Sequence, residues 1–337
     1  MENIARLETS YFPKPSEFLF ARSASNARCG ELVVDGRSGF LDSSYSLIEQ
    51  EQVEEGMELL VGGLWTRRLT SEREAWERFV DQECMRHPIR EVLHCDPFTH
   101  RAFAKPRGYA GDAVMLDYIY GFRRAPELTR PIRQIHTYTT VAGRAPCSVR
   151  NRLEIVSGEI DRLAAAQSDL RVLSVACGHL REASRSDAIS SGRVGEIVAY
   201  DQDSESLAVV AKEYAGLPVV PRAGRIRDLI CDRAQLGRFD FAYALGLYDY
   251  LDEQTARRLT EVLFSHLRPG GTLLVANFAP GIPDLGYMES YMDWRLVYRD
   301  RLAMARLAAG IPSAEIRSIT LFDDISHSIV FLEIEKA

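Results

Sequence analysis

From residue 170 onward the chain alternates short, nearly all-apolar runs with segments of helical period, and this alternation restricts it to an α/β architecture. LRVLSVAC (170–177) and EIVAYD (196–201) read as the first two strands. PVVPRAGRIRDL holds a third, RFDFAYALGLYDYL a fourth, and RPGGTLLVANF turns at Pro269-Gly270-Gly271 into a fifth. Runs such as VLSVA and LLVA lack polar alternation, as expected when both faces of a parallel sheet are covered. Helices are expected from about Glu182-Ala183-Ser184, over SESLAVVAKEY, and over EQTARRLTEVLFSHL. The pattern predicts a parallel sheet with helices on both faces, closed by two strand-like segments, SAEIRSITLFD and SHSIVFLEIEK.

Upstream the grammar differs. Residues 1–40 are irregular, with a short hairpin expected around Asp35-Gly36. From about residue 43 the period is helical, placing Leu47, Val53, Met57, Leu60 and Val61 near one face. TSEREAWERFVDQECMRH predicts a second helix behind a capping box from Ser71 to Glu74. PIREVLHCD and PFTHRAFAK predict shorter helices, each opened by proline. A turn, Gly108-Tyr109-Ala110-Gly111-Asp112, precedes a helix with Val114, Met115 and Tyr118, and residues 127–165 continue mostly helical. A length of 337 residues accommodates two domains, a helical one over 1–145 and the sheet domain over 146–337.

The net charge of -7 argues against broad nucleic-acid or anionic-membrane binding. No apolar run approaches the ~20 residues of a membrane helix, and MENIARLETSYFPKPSEF has no basic-then-apolar leader pattern. Cys29, Cys84, Cys95, Cys147, Cys177 and Cys231 are scattered and form no CxxC pair, so zinc or disulfide frameworks are not expected and a cytoplasmic location is. His94, Cys95 and His100 fall in HCDPFTH, where Pro97 interrupts any common face; ordinary loop histidines are the better reading, and no metal is expected. Neither a GxSxG elbow nor a P-loop occurs.

The first strand stops on Ala176-Cys177-Gly178. In open α/β sheets ligands lie outside the carboxyl ends of the strands, and small residues there let a ligand approach the main chain. A dinucleotide fingerprint would need glycine at 178, 180 and 183, where the chain has Gly178, Leu180 and Ala183; a nucleoside without phosphates does not need that cradle. Asp201 ends the second strand 23 residues after Gly178, a spacing at which a carboxylate accepts bonds from a ribose diol. It also suits the cap of the following helix, and both roles are compatible. Asp203 is a weaker candidate for the ribose.

In order, LSVACGHLRE, VAYDQDSESL, GRFDFAYALGLYDYL and RPGGTLLVANF resemble the motifs of class I S-adenosylmethionine-dependent methyltransferases, over about residues 168–337. The resemblance implies a Rossmann-like sheet with an antiparallel last strand and S-adenosylmethionine as cofactor. Ala176, Cys177 and Gly178 would lie under its methionine part, Asp201 and Gln202 at the ribose, Ile226 and Arg227 near adenine, and Leu245 and Gly246 beside the methyl-transfer site. Departures are Ser174 where the family commonly has an acid, Ala176 and Leu180 where it has glycines, and Arg225 where an acid often faces adenine, with Asp228 as the alternative there. Glu182 is a candidate to take over the amino-group contact.

DPFTHRAFAKPRGYAGD resembles the N-terminal region of bacterial methyltransferases assigned to fatty-acid methyl ester (extracellular factor) synthesis, which implies a carboxylate acceptor and signal synthesis or secondary metabolism. Arg107 and Tyr109 would then belong to a lid segment over the cofactor; interdomain packing is the other reading. Tyr248, Asp249 and Asn277, at the exits of the fourth and fifth strands, are the candidate catalytic or acceptor-contacting residues; a helix-capping loop is the alternative for the first two. Tyr287, Tyr291, Trp294 and Tyr298 either shape an acceptor pocket or cover the core. His179 reads as a loop residue, and His327 joins Tyr248 and Asp249 as a possible proton acceptor. Transfer from a sulfonium needs alignment more than acid–base groups, so a quiet sequence is compatible with catalysis. The leading expectation is methyl transfer to a small-molecule acceptor, with a homodimer left open. The alternative is a regulatory protein that binds the cofactor without catalysis; a nicotinamide oxidoreductase is disfavoured by the missing glycines.

Overall fold

The computed structural model describes residues 39–231 and 233–337. The turn of the expected hairpin, Asp35-Gly36, lies outside the described residues. Gly39–Glu49 is helical, so Phe40, Leu41 and Asp42 belong to a helix and not to a hairpin strand. Among the described residues eight α-helices precede the sheet: α1 (Gly39–Glu49), α2 (Val53–Thr70), α3 (Arg73–Gln82), α4 (Ile89–Leu93), α5 (Pro97–Ala104), α6 (Ala113–Tyr120), α7 (Arg130–Thr137) and α8 (Arg144–Ala166). Glu51, at φ 63°, breaks the first long helical period into α1 and α2. The expected capping box does not form: Ser71 ends α2 and Glu72 opens α3 without a side-chain cap. Pro97 opens α5 behind Asp96, whose carboxylate accepts from the Phe98 and Thr99 amides.

The sheet follows as β1 (Arg171–Val175), β2 (Glu196–Asp201), β3 (Val219–Ala223), β4 (Phe239–Ala244), β5 (Leu267–Phe278), β6 (Ile316–Asp323) and β7 (Ile329–Lys336). Their order is β3-β2-β1-β4-β5-β7-β6. The first five strands pair in parallel, and β7 runs antiparallel to both β5 and β6. This is the Rossmann-like α/β sheet, with the antiparallel closing pair, that the sequence predicts. Pro269-Gly270-Gly271 lies inside β5, where pairing jumps from Phe239–Leu267 to Phe241–Thr272 and Gly270 takes φ +76°.

Alternate strand residues face two cores. Val172, Ile197, Phe241, Tyr243 and Leu274 join one, which also contains Leu41, Met57, Leu60, Leu153 and Val156 of the helical segment. Leu173, Val198, Phe239, Ala242 and Leu273 join the other, beneath Leu259 and Leu263 of α12 (Glu253–Ser265) and Met304 of α14 (Arg301–Arg306). The helical segment therefore shares its core with one face of the sheet, and Phe40–Ala337 form one compact unit. The expected boundary at residues 145/146 falls in the first turn of α8.

The helix expected after β1 is reduced to a 3₁₀ turn, Arg181–Ser184, and one turn of helix, α9 (Asp187–Ser190). The sheet face it would cover is taken by α8, whose Ser157 hydroxyl donates to the Glu182 carbonyl at 3.3 Å and whose Asp161 accepts from the Ser186 hydroxyl and the Ala188 amide. The other helices are α10 (Ser204–Glu213), α11 (Ile226–Ile230) and α13 (Leu285–Tyr291).

The loop after β1 is tied to the helical segment through Asp117 of α6, which is buried. Its carboxylate accepts from Arg181 Nε at 2.6 Å and Nη2 at 2.7 Å, and lies 2.8 Å from His179 Nδ1. Burial raises the Asp117 pKa, but the Arg181 and His179 bonds outweigh it and hold the group below the usual carboxylate range. Removing one partner of a buried ion pair strands the other. Asp117→Ala should therefore lower unfolding stability by about 3 kcal/mol or more in urea denaturation.

Candidate active site

The carboxyl ends of β1, β2 and β4 open into a cavity of about 470 Å³, closed on the other side by α6, α8 and residues 107–111. Its volume lies within the roughly 300–1,000 Å³ of small-molecule sites. Ala176, Cys177, Gly178, Glu182, Asp201, Gln202, Ile226, Leu245, Gly246, Arg107, Tyr109 and Asp249, all expected from the sequence, are brought together in its wall. Arg227, Tyr248 and Asn277 are not among the residues that line it.

The floor is the loop after β1. Ala176, Gly178 and Leu180 take φ values of 53°, 53° and 50°. The positions where the resembled family has glycine are thus left-handed here, though Ala176 and Leu180 carry side chains. Gly178 tolerates little bulk: a Cβ there would sit 3.1 Å from Ala113 Cβ. Its amide donates to Asp201 Oδ2 at 2.8 Å, and the Asp203 amide donates to Asp201 Oδ1 at 2.9 Å. Asp201 ends β2 and is 8% exposed; burial raises its pKa, partly offset by these amide bonds. Each oxygen keeps accepting capacity toward the cavity. Burial and the nearby Asp201 and Glu182 push the Cys177 thiol well above the ordinary range, which disfavours the thiolate.

Asp203, the weaker ribose candidate, caps α10 and accepts from Arg107 Nη1 at 2.7 Å. Arg107 also donates to Ser206 Oγ at 3.0 Å and Glu205 Oε2 at 3.0 Å. The carboxylates that Arg107 meets are thus those of α10's first turn. Beside it, burial and the charge of Asp201 raise the Tyr109 hydroxyl's pKa, and the ring meets Tyr250 edge-on, centroids 6.4 Å apart. At the β3 exit Gly224 has no room for a Cβ against the Tyr200 hydroxyl, which donates to the Arg225 carbonyl at 2.9 Å. Asp228, the alternative adenine contact, instead accepts from the Arg225 amide at 3.1 Å.

Past β4, Asp249 is 2% exposed, and burial pushes its carboxyl up to about 7. Oδ1 accepts from the Phe278 amide at 2.7 Å, and Oδ2 lies 4.0 Å from Arg152 Nη1. Tyr248 turns to the opposite core, its hydroxyl 2.9 Å from Thr260 Oγ1 on α12. Asn277 bridges Phe278 and Val297 through their carbonyls and accepts from Arg299 at 2.7 Å. Asn277 thus holds backbone together, and neither residue lines the cavity. The aromatic stripe divides: Trp294 lines the cavity and donates to the Tyr250 hydroxyl at 2.7 Å, while Tyr287 contacts Thr99 and Tyr291 is buried in the core. His179 lines the wall with Nε2 buried and unpartnered among the described residues. His327 is on the surface beside Asp323. His94 meets the Tyr291 carbonyl at 2.9 Å, and among the described residues no His, Cys, Asp and Glu cluster suits a metal ion.

Sequence reasoning missed Arg152, Tyr120 and Tyr243, all in the wall. A usable signal exists for Arg152: it lies in α8 on the face of Val149, Leu153, Val156 and Ile160, all buried. A cation on an apolar helical stripe marks a buried charge.

Compared with known proteins, the chain matches no family model and no curated protein by sequence. Among solved structures it is similar to one described as a possible exported protein from Bordetella parapertussis, 16% identical over 77% of this chain and 95% of that one, TM-score 0.57. It also aligns with magnesium protoporphyrin IX methyltransferase from Synechocystis PCC 6803 with bound SAH, 12% identical over 67% of this chain and 95% of that one, TM-score 0.45. A further alignment is with N-methyltransferase NodS from Bradyrhizobium japonicum, 12% identical over 54% and 86%, TM-score 0.39. The first likeness, at this identity, is one of fold. No helix among the described residues is long and apolar enough to cross a membrane.

Two outcomes follow from the site's chemistry. Ala176 is exposed and left-handed, so Ala176→Gly should raise stability by about 1 kcal/mol in chemical denaturation. Asp249 has a folded pKa above its ordinary value of about 3.9. The folded state therefore holds a proton that the unfolded chain has released, and Asp249 makes stability fall as pH rises from about 4 toward about 7. Asp249→Asn should flatten this slope in urea titrations across that range.

Proposed function

We propose that the cavity binds S-adenosylmethionine and that the protein transfers its methyl group to a small-molecule acceptor. The observation that carries this is the Asp201 carboxylate at the end of β2, joined by the Gly178 amide at 2.8 Å to a left-handed loop that leaves space above the main chain. A carboxylate so placed accepts from a ribose diol, and a loop with Leu180 buried at its centre offers no glycine cradle for a pyrophosphate. The cofactor, when bound, supplies an already activated sulfonium methyl.

The chain's own residues then divide the work. Asp201 and Gln202 hold the sugar, and the backbone around Ile226 meets the base. Cys177 and Gly178 support the methionine part. Leu245, Gly246 and Asp249 border the space where an acceptor would align with the methyl group, and the helical segment excludes water from it. Asp249, deprotonated above about 7, would take a proton from a hydroxyl or amine acceptor; a carboxylate acceptor would need no base. A cytoplasmic role in secondary metabolism or signal synthesis accords with this reading.

Titration calorimetry separates the readings. S-adenosylmethionine and its demethylated product should bind and NAD should not, and Asp201→Ala should weaken cofactor binding by about tenfold or more. Absence of cofactor binding would remove the proposal. Labelled methyl transfer into a metabolite extract would distinguish an enzyme from a protein that only senses the cofactor.

A further inference from the structure

Two buried ionisable side chains of opposite type, Glu182 and Arg152, line the cavity. Glu182 is 5% exposed and accepts from the Tyr243 hydroxyl at 2.6 Å and the Ser174 hydroxyl at 3.3 Å. Arg152, from α8, is 4% exposed and donates through Nη1 to the Leu245 carbonyl at 3.0 Å. Its Nε is buried without a partner among the described residues, and its Nη1 stands 4.0 Å from Asp249 Oδ2. Gly246 keeps the space beside it clear, since a Cβ there would lie 3.3 Å from Nη2. Both side chains line the cavity. They sense each other's charge, Arg152 favouring the ionised Glu182, yet burial still raises the Glu182 pKa.

A buried guanidinium whose carboxylate partner Asp249 stands 4.0 Å away is costly unless an anion completes it, and a buried carboxyl that resists ionisation gains from a cation. A ligand with both charges on adjacent atoms satisfies the two together. We propose that Arg152 and Glu182 receive the carboxylate and the ammonium of an α-amino-acid headgroup, the methionine end of the cofactor. This rests on the methyltransferase reading and assigns to it a residue outside the strand-end motifs. It gives the helical segment a direct part in cofactor binding: α8 supplies the cation, and the loop after β1 supplies the acid. The planar fork of arginine suits a carboxylate bidentately, which lysine cannot match.

The test compares S-adenosylmethionine with its decarboxylated analogue by calorimetry on the full chain. The wild type should prefer the carboxylated form by about tenfold or more. Arg152→Gln should bring the two affinities to within about twofold while leaving the analogue's affinity near that of the wild type. Arg152→Lys should keep an intermediate preference. Unchanged affinity for the analogue also certifies that the variant is folded. No preference in the wild type, or an equal loss for both ligands in Arg152→Gln, overturns the assignment. A wild type that binds neither ligand overturns the methyltransferase reading itself.

Discussion

The cavity depends on a main chain that turns left-handed at Ala176, Gly178 and Leu180. Only glycine adopts that geometry without penalty; each L-residue there costs about 1–2 kcal/mol. The strain persists because the loop is held on both sides. Asp201 takes the Gly178 amide, and Leu180 is buried. Asp117 grips His179 and Arg181 from the helical segment. Strained backbone that its surroundings over-determine is typical of ligand sites.

This arrangement explains why the helical segment and the sheet share a core. A helix of ordinary length after β1 would cover the sheet face and leave the loop to itself. Here α8 and α6 occupy that face, so the residues that clamp the loop and those that wall the cavity come from the same helices. Residues 105–111 complete the enclosure. Arg107 is fixed to α10, and Gly111 packs against Tyr250 and Trp294, where a Cβ would come within 2.7 Å of either.

Much of this was legible in the sequence. Apolar runs placed β1, β2 and β4 closely, because strands buried on both faces have little freedom in composition. The Ala176-Cys177-Gly178 stop and Asp201 marked the cavity, because close approach to the main chain demands small residues and Asp201 ends β2 against the Gly178 amide. Other features were hidden for physical reasons. Ala176 and Leu180 conceal left-handed backbone, since conformation there is imposed by packing and not by the residue. Tyr248 and Asn277 stand next to the site in sequence, but Tyr248 faces the opposite core beside the inward Asp249, and Asn277 spends its amide on Arg299 and backbone carbonyls. Arg152 comes from α8, ahead of β1 and outside every strand-end motif, and only its apolar neighbours point to it.

The most direct test is a crystal structure with the demethylated cofactor. The account predicts the ribose hydroxyls within hydrogen-bond distance of Asp201, adenine toward Ile226, and the loop at 176–180 unchanged in its left-handed turns. A nucleoside bound away from Asp201, or a loop that must refold to admit it, would contradict the account.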